Sequence, residues 1–179
     1  MAPRYALAKR RADELLREAG IRRAPVPVEK LVRFVDAKVV FRSFSGHSGQ
    51  ISGIVHRNAN GTAVIGINSK ERHERQRFTI AHELGHLLLH VNEDLHIDRN
   101  FPIGLRSGAS RSGTEENEIE ANQFAAALLM PPHFLAKDIA PLVGTDVIVA
   151  IEKLAAKYEV SEQAMSVRLS TLGYVSLGS

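Results

Sequence analysis

The chain has 179 residues, 44% of them hydrophobic and 24% charged, with a net charge of +3. That balance suits a globular unit with a buried core, of a length for one domain and a small appended module. No apolar run approaches a membrane span, and Met1–Gly20 lacks the apolar centre of a signal peptide. The absence of cysteine excludes disulfides and thiolate metal sites, so the cytoplasm is the expected compartment.

Residues 1–33 hold nine basic and four acidic side chains, a local +5 that leaves −2 for the rest. Residues 5–19 predict a helix with one apolar stripe, Leu7, Ala8, Ala12, Leu15, Leu16 and Ala19, stopped by Gly20. A basic helix can meet nucleic acid or an acidic partner, but a solvated face explains it more simply. Pro25 and Pro27 then break the chain, and Val28–Val35 predicts a second short helix.

Three strands follow, at Lys38–Phe44, Gln50–His56 and Thr62–Ile67. The last two alternate, and Asn58-Ala59-Asn60-Gly61 joins them as a hairpin. Next comes a predicted helix opened by Asn68 as N-cap with Glu71 as its reciprocal partner. Phe78, Ala81, Leu84, Leu87 and Leu88 give it an apolar stripe. Gly85 is costly in a helix, by about 1 kcal/mol against alanine, and implies close approach by a neighbour.

This helix carries His82-Glu83-Leu84-Gly85-His86, an HExxH pentapeptide. Histidines four apart share a helical face and can hold one metal ion. The glutamate between them is placed to act as general base on a water. Two surface histidines beside an ion-paired glutamate are the plain alternative, which the buried setting disfavours. His90 extends the same face and is expected to complement the helix C-terminus. His47, His56, His73 and His96 have no spacing partner and are expected to be structural or exposed.

Residues 91–114 predict an irregular connection, for substrate access or as a plain linker. A helix over Glu115–Met130 is ended by Pro131-Pro132, and the tail predicts helices at Val147–Tyr158 and Glu162–Leu172. A catalytic zinc site needs a third protein ligand. The His-x-x-Gly-x-x-His extension fails, with Leu89 in the glycine place and Asn92 in the histidine place. Glu118 and Glu120 both compete. Glu118 is favoured because Ala121, Asn122, Ala125 and Leu129 give it a face fit for burial, where a metal would partner the carboxylate. Asn122 can orient a ligating histidine, and His133 past the proline break is a candidate oxyanion donor.

HELGH, followed after a variable loop by EIEANQFAAALLMP, resembles the ImmA/IrrE family of metallopeptidases. The Pro25-Val26-Pro27-Val28-Glu29-Lys30-Leu31 entry, the three strands and Leu154–Ser161 extend the likeness over about residues 5–175. The resemblance implies an α+β, gluzincin-like fold in which a small three-stranded, antiparallel-containing sheet packs on the HExxH helix. Residues 1–132 would form the catalytic domain and 133–179 a helical, winged-helix or HTH-like module packed on it. It implies His82, His86 and Glu118 as ligands and Glu83 as base. It puts Asn122 where related peptidases carry an acid that orients the first histidine. One Zn2+ per chain is expected, with Mn2+ as the alternative. The implied partner is a protein substrate, a helix-turn-helix repressor or antitoxin cleaved in stress response or mobile-element regulation, with no membrane and no directly bound nucleic acid.

The rival reading is a DNA- or partner-binding regulator whose metal site is structural or sensory. It rests on the helix–turn–helix pattern Ile151–Leu172, with Ser161 as N-cap. The second helix offers only Gln163 and Arg168 for base contacts, and its many apolar positions point to packing.

Overall fold

In the computed structural model, residues 3–44, 51–58, 61–91, 95–99 and 112–175 are described. His47, Gln50, the turn residues Ala59 and Asn60, and most of the predicted irregular stretch 91–114 lie outside them. Helix α1 (Tyr5–Glu18) buries Ala8, Ala12, Leu15 and Leu16, the predicted stripe. Gly20, at φ +69°, lets the chain turn so that the Ile21 amide reaches the Leu16 carbonyl at 2.8 Å. Helix α2 (Val28–Phe34) follows and buries Val28, Leu31 and Val32.

Among the described residues the sheet has four strands rather than three, β1 (Ala37–Arg42), β2 (Ile51–Arg57), β3 (Ala63–Asn68) and β4 (Leu95–Arg99), in the order β1-β3-β2-β4. Strand β1 runs parallel to β3, and β3 pairs antiparallel with β2 as the predicted hairpin. Strand β4 pairs antiparallel with the far side of β2. It falls inside the predicted irregular stretch because its local pattern misleads. Leu95 and Ile97 face solvent, at 54% and 37% exposure, while a histidine points inward. Pairing with β2, not hydrophobic alternation, makes it a strand.

Helix α3 (His73–Leu89) lies against the sheet and is buried almost all round from Thr79 to Leu87. Its start differs from the predicted one. Arg72 is the N-cap residue and makes no side-chain cap. Asn68 instead closes the turn before it, accepting from the Lys70 amide at 3.1 Å and donating to the Ile51 carbonyl at 3.0 Å. Glu71 accepts from the Ser52 hydroxyl at 2.8 Å.

Helix α4 (Ser112–Leu129) packs on both α3 and α1. At Gly85 an added Cβ would stand 3.1 Å from the Ala121 Cα and 3.3 Å from its carbonyl oxygen. The glycine thus sets how closely the two helices approach, as the sequence suggested. Helix α5 (Pro132–Ile139), a 3-10 turn (Ala140–Leu142), α6 (Val147–Tyr158) and α7 (Glu162–Thr171) complete the described chain. Asp146 caps α6 through the Ile148 and Val149 amides, and Ser161 caps α7 through the Ala164 amide at 3.1 Å. Leu154, Ala155, Tyr158, Met165 and Leu169 of this tail join the same hydrophobic core as α1, α3 and the sheet.

Candidate metal centre

The i, i+4 spacing on α3 sets the His82 and His86 rings side by side, with their Nε2 atoms 3.1 Å apart. Helix α4 brings Glu118 across to them. Its Oε2 lies 3.3 Å from His82 Nε2 and its Oε1 3.4 Å from His86 Nε2. These separations test a metal directly. Donors about 2.0–2.1 Å from one zinc ion at tetrahedral angles stand about 3.3 Å from each other. Three atoms from two helices form one face of such a tetrahedron, so the residues fit the ion.

Protonation agrees with that use. Burial pushes the His86 imidazole down to about 3, and the neutral ring is the form that ligates. Burial works to raise Glu118, but its contacts with His82 and His86 outweigh it and hold the carboxyl well below the usual carboxylate range. The outer nitrogens are also engaged. His82 Nδ1 sits 3.0 Å from Asn122 Oδ1, so the ring donates there and leaves Nε2 a free lone pair.

His86 is oriented by a longer chain that sequence reasoning missed. His90 Nδ1 lies 3.1 Å from His86 Nδ1, and His90 Nε2 lies 3.2 Å from Glu120 Oε2. Glu120 is buried, and Arg4 grips it by its backbone amide at 2.7 Å, Nε at 3.0 Å and an Nη at 2.8 Å. The Arg4 hydrogen bonds hold the Glu120 carboxyl down to about 2. One tautomer pattern satisfies every atom: His86 donates to His90, which donates to Glu120. His90, at the C-terminal end of α3, is thus a buried link between His86 and Glu120. The signal for it was the third histidine at the same spacing of four.

Glu118 faces the histidines for a reason other than burial. The carboxylate beside the histidines is that of Glu118, yet its side chain is 39% exposed, whereas Glu120 is the buried one. Burial of the helix face therefore does not mark the ligand; Glu118, the expected glutamate, is set beside the histidines by cross-helix geometry.

Glu83 is fully buried on the sheet side of α3, where β2 makes room for it. An added Cβ at Gly53 would stand 2.7 Å from Glu83 Oε1 and 2.4 Å from Thr79 Cγ2. A side chain at that strand position would displace the carboxylate.

A fourth donor arrives from the sheet. His96 on β4 stacks on His86, ring centroids 3.5 Å apart and planes at 16°, with its Nε2 3.2 Å from Glu118 Oε1. Ligand-capable atoms of His82, His86, His96 and Glu118 all lie within 4.8 Å of one another. The expectation that His96 is merely structural or exposed therefore fails, since strand pairing supplied what spacing could not. His73 is exposed beside Glu159 at 3.3 Å, and His56 is exposed. The cluster does not include His133. That residue stands half-exposed, 3.7 Å from Asp13, in a cleft shared with Lys9, Arg10 and Arg168.

An HExxH helix facing a glutamate on the next long helix, with a small sheet at its back, defines a metallopeptidase-type centre. The profile of the IrrE N-terminal-like domain matches residues 35–170, and the chain belongs to that family, the ImmA/IrrE metallopeptidases. It is 40% identical over 100 residues to the radiation response metalloprotease IrrE of Deinococcus radiodurans, covering 55% of this chain and 28% of that protein. It is 43% identical over 74 residues to its namesake from Deinococcus deserti, covering 40% of this chain and 24% of that one. The matches thus span about a quarter of those relatives' length. A solved Mycobacterium tuberculosis transcriptional regulator shares the fold with a TM-score of 0.63 at 16% identity, over 91% of this chain and 46% of that one.

Proposed function

We propose that the chain is a zinc-dependent endopeptidase held together by His82, His86 and Glu118. The observation that carries this reading is the set of donor separations, 3.1, 3.3 and 3.4 Å, matched to one tetrahedral ion. Bound there, the ion supplies the Lewis acidity that makes a water nucleophilic near neutral pH. Glu83 would hold the proton given up by the attacking water on its carboxylate and pass it to the leaving amine. Asn122 orients His82, and the His90–Glu120–Arg4 chain orients His86.

The substrate we propose is a helix-turn-helix repressor or antitoxin in a stress response. The family membership and the radiation-response names of the relatives support this. Zn2+ is preferred over Mn2+ because two imidazoles and one carboxylate suit it. A cytoplasmic setting accords with the cysteine-free sequence, and no described helix is long and apolar enough to cross a membrane. Residues 1–132 carry the chemistry in this reading, with 133–179 as a packed helical module. Direct DNA reading by α7 is disfavoured, since Arg168 is buried and donates to the Met130 carbonyl at 3.0 Å.

The test is N-terminal labelling of a host lysate after incubation with the zinc-loaded protein or its Glu83→Gln variant. The reading expects a small set of new N-termini with the wild type and none with the variant, which keeps its zinc. Equal sets from both proteins would refute the assignment of Glu83.

A further inference from the structure

A catalytic zinc site keeps one position open for water, whereas four protein donors close a site. Here four donors converge, and they are not equivalent. His82, His86 and Glu118 stand on α3 and α4, which pack closely at Gly85 and lie in the core. His96 stands on β4, a five-residue strand at the end of the sheet. Among the described residues it is paired on one side only, through a register irregular between Ile51 and Gly53. Its neighbours Leu95 and Ile97 turn outward and add little core packing. Three donors are fixed by the core, and the fourth comes on the element that costs least to shift.

We propose that His96 is a latch: at rest its imidazole occupies the fourth position of the metal site, and turnover requires β4 to withdraw it. This rests on the reading of His82, His86 and Glu118 as a zinc site. The contact with Glu118 Oε1 at 3.2 Å puts Nε2 at a donor's spacing, and the ring, stacked on His86 at 3.5 Å, tilts out of that stack to turn its in-plane lone pair to the ion. A substrate that shifts β4 would both open the position and enter it, which suits an enzyme devoted to one protein target over a general protease.

The experiment loads the full chain with Co2+ and titrates it with acetohydroxamate, read by the visible d–d bands. Wild type, His96→Ala and His96→Phe are compared. The phenylalanine keeps the stacked ring and removes the nitrogen, which separates coordination from packing. The latch predicts at least about tenfold tighter hydroxamate binding in both variants, because no protein donor competes for the position. It also predicts at least about tenfold weaker metal retention against a chromophoric chelator, as for loss of one ligand. Equal or weaker hydroxamate binding in the cobalt-loaded variants overturns the latch and leaves the three-ligand site standing. Cobalt lost altogether from both variants overturns it too, since a latch is dispensable for holding the ion. Failure of the wild type itself to bind cobalt overturns the zinc-site reading and the latch together.

Discussion

Replacing Glu120 by glutamine tests the buried chain that steadies His86. The carboxylate accepts three hydrogen bonds from Arg4 and one from His90, and its pKa falls from 4.5 to about 2. At 1.36 kcal/mol per pKa unit that is about 3 kcal/mol favouring the ionised form. Arg4 is half-exposed, so solvent screens part of its share, and a loss of about 2 kcal/mol is expected for Glu120→Gln at pH 7. The sign with pH follows from a depressed pKa. The stabilisation is fully present above the unfolded value near 4.5 and is lost as pH falls through about 2. Urea unfolding of the metal-free proteins, followed by circular dichroism from pH 7 to pH 2.5, should therefore show a wild-type advantage that shrinks below pH 4.5. Disturbing His90 should also weaken zinc binding by about tenfold, as for other outer partners of metal ligands. A variant as stable as wild type at pH 7, or a deficit constant across the acid range, would refute the reasoning.

Two glycines make further predictions. Gly85→Ala should gain about 1 kcal/mol of helix propensity but lose about 1–3 kcal/mol to overpacking against Ala121 and Phe124. It should be destabilised overall and hold zinc less tightly, because α4 carries Glu118; thermal melts and a chelator competition check both, and a stabilised variant would contradict the close packing. Gly53→Ala should leave zinc binding almost unchanged, because it forces Glu83 and Thr79 aside rather than the ligands. Turnover of the target found by N-terminal labelling should fall by about 100-fold from the misplaced base. Loss of zinc with turnover intact would reverse that account.

Much of the site was legible because helical spacing is a local property. His82, Glu83 and His86 follow from the pentapeptide, and the cost of Gly85 in a helix foretold the contact with α4. The hairpin was readable from alternation and a turn signal. Non-local pairing was not readable. β4 exists because β2 offers it an edge, and its inward residue is a histidine that breaks the apolar alternation, so His96 looked isolated. The burial of Glu120 depends on Arg4, 116 residues away in sequence. Asn68 shows the reverse failure: a pattern fit for a helix cap serves the turn before the helix, because its side chain is drawn to the Ile51 carbonyl on β2.

The most direct test of the central claim is the zinc content of wild type, Glu118→Ala and Glu120→Ala after identical reconstitution and dialysis, by mass spectrometry of the metal. The account predicts about one zinc per chain in wild type, retention with weaker affinity in Glu120→Ala, and a far larger loss in Glu118→Ala, whose carboxylate is both a donor and the contact that holds His96 near the site. Full zinc in Glu118→Ala, or none in the wild type, would contradict a centre built on His82, His86 and Glu118.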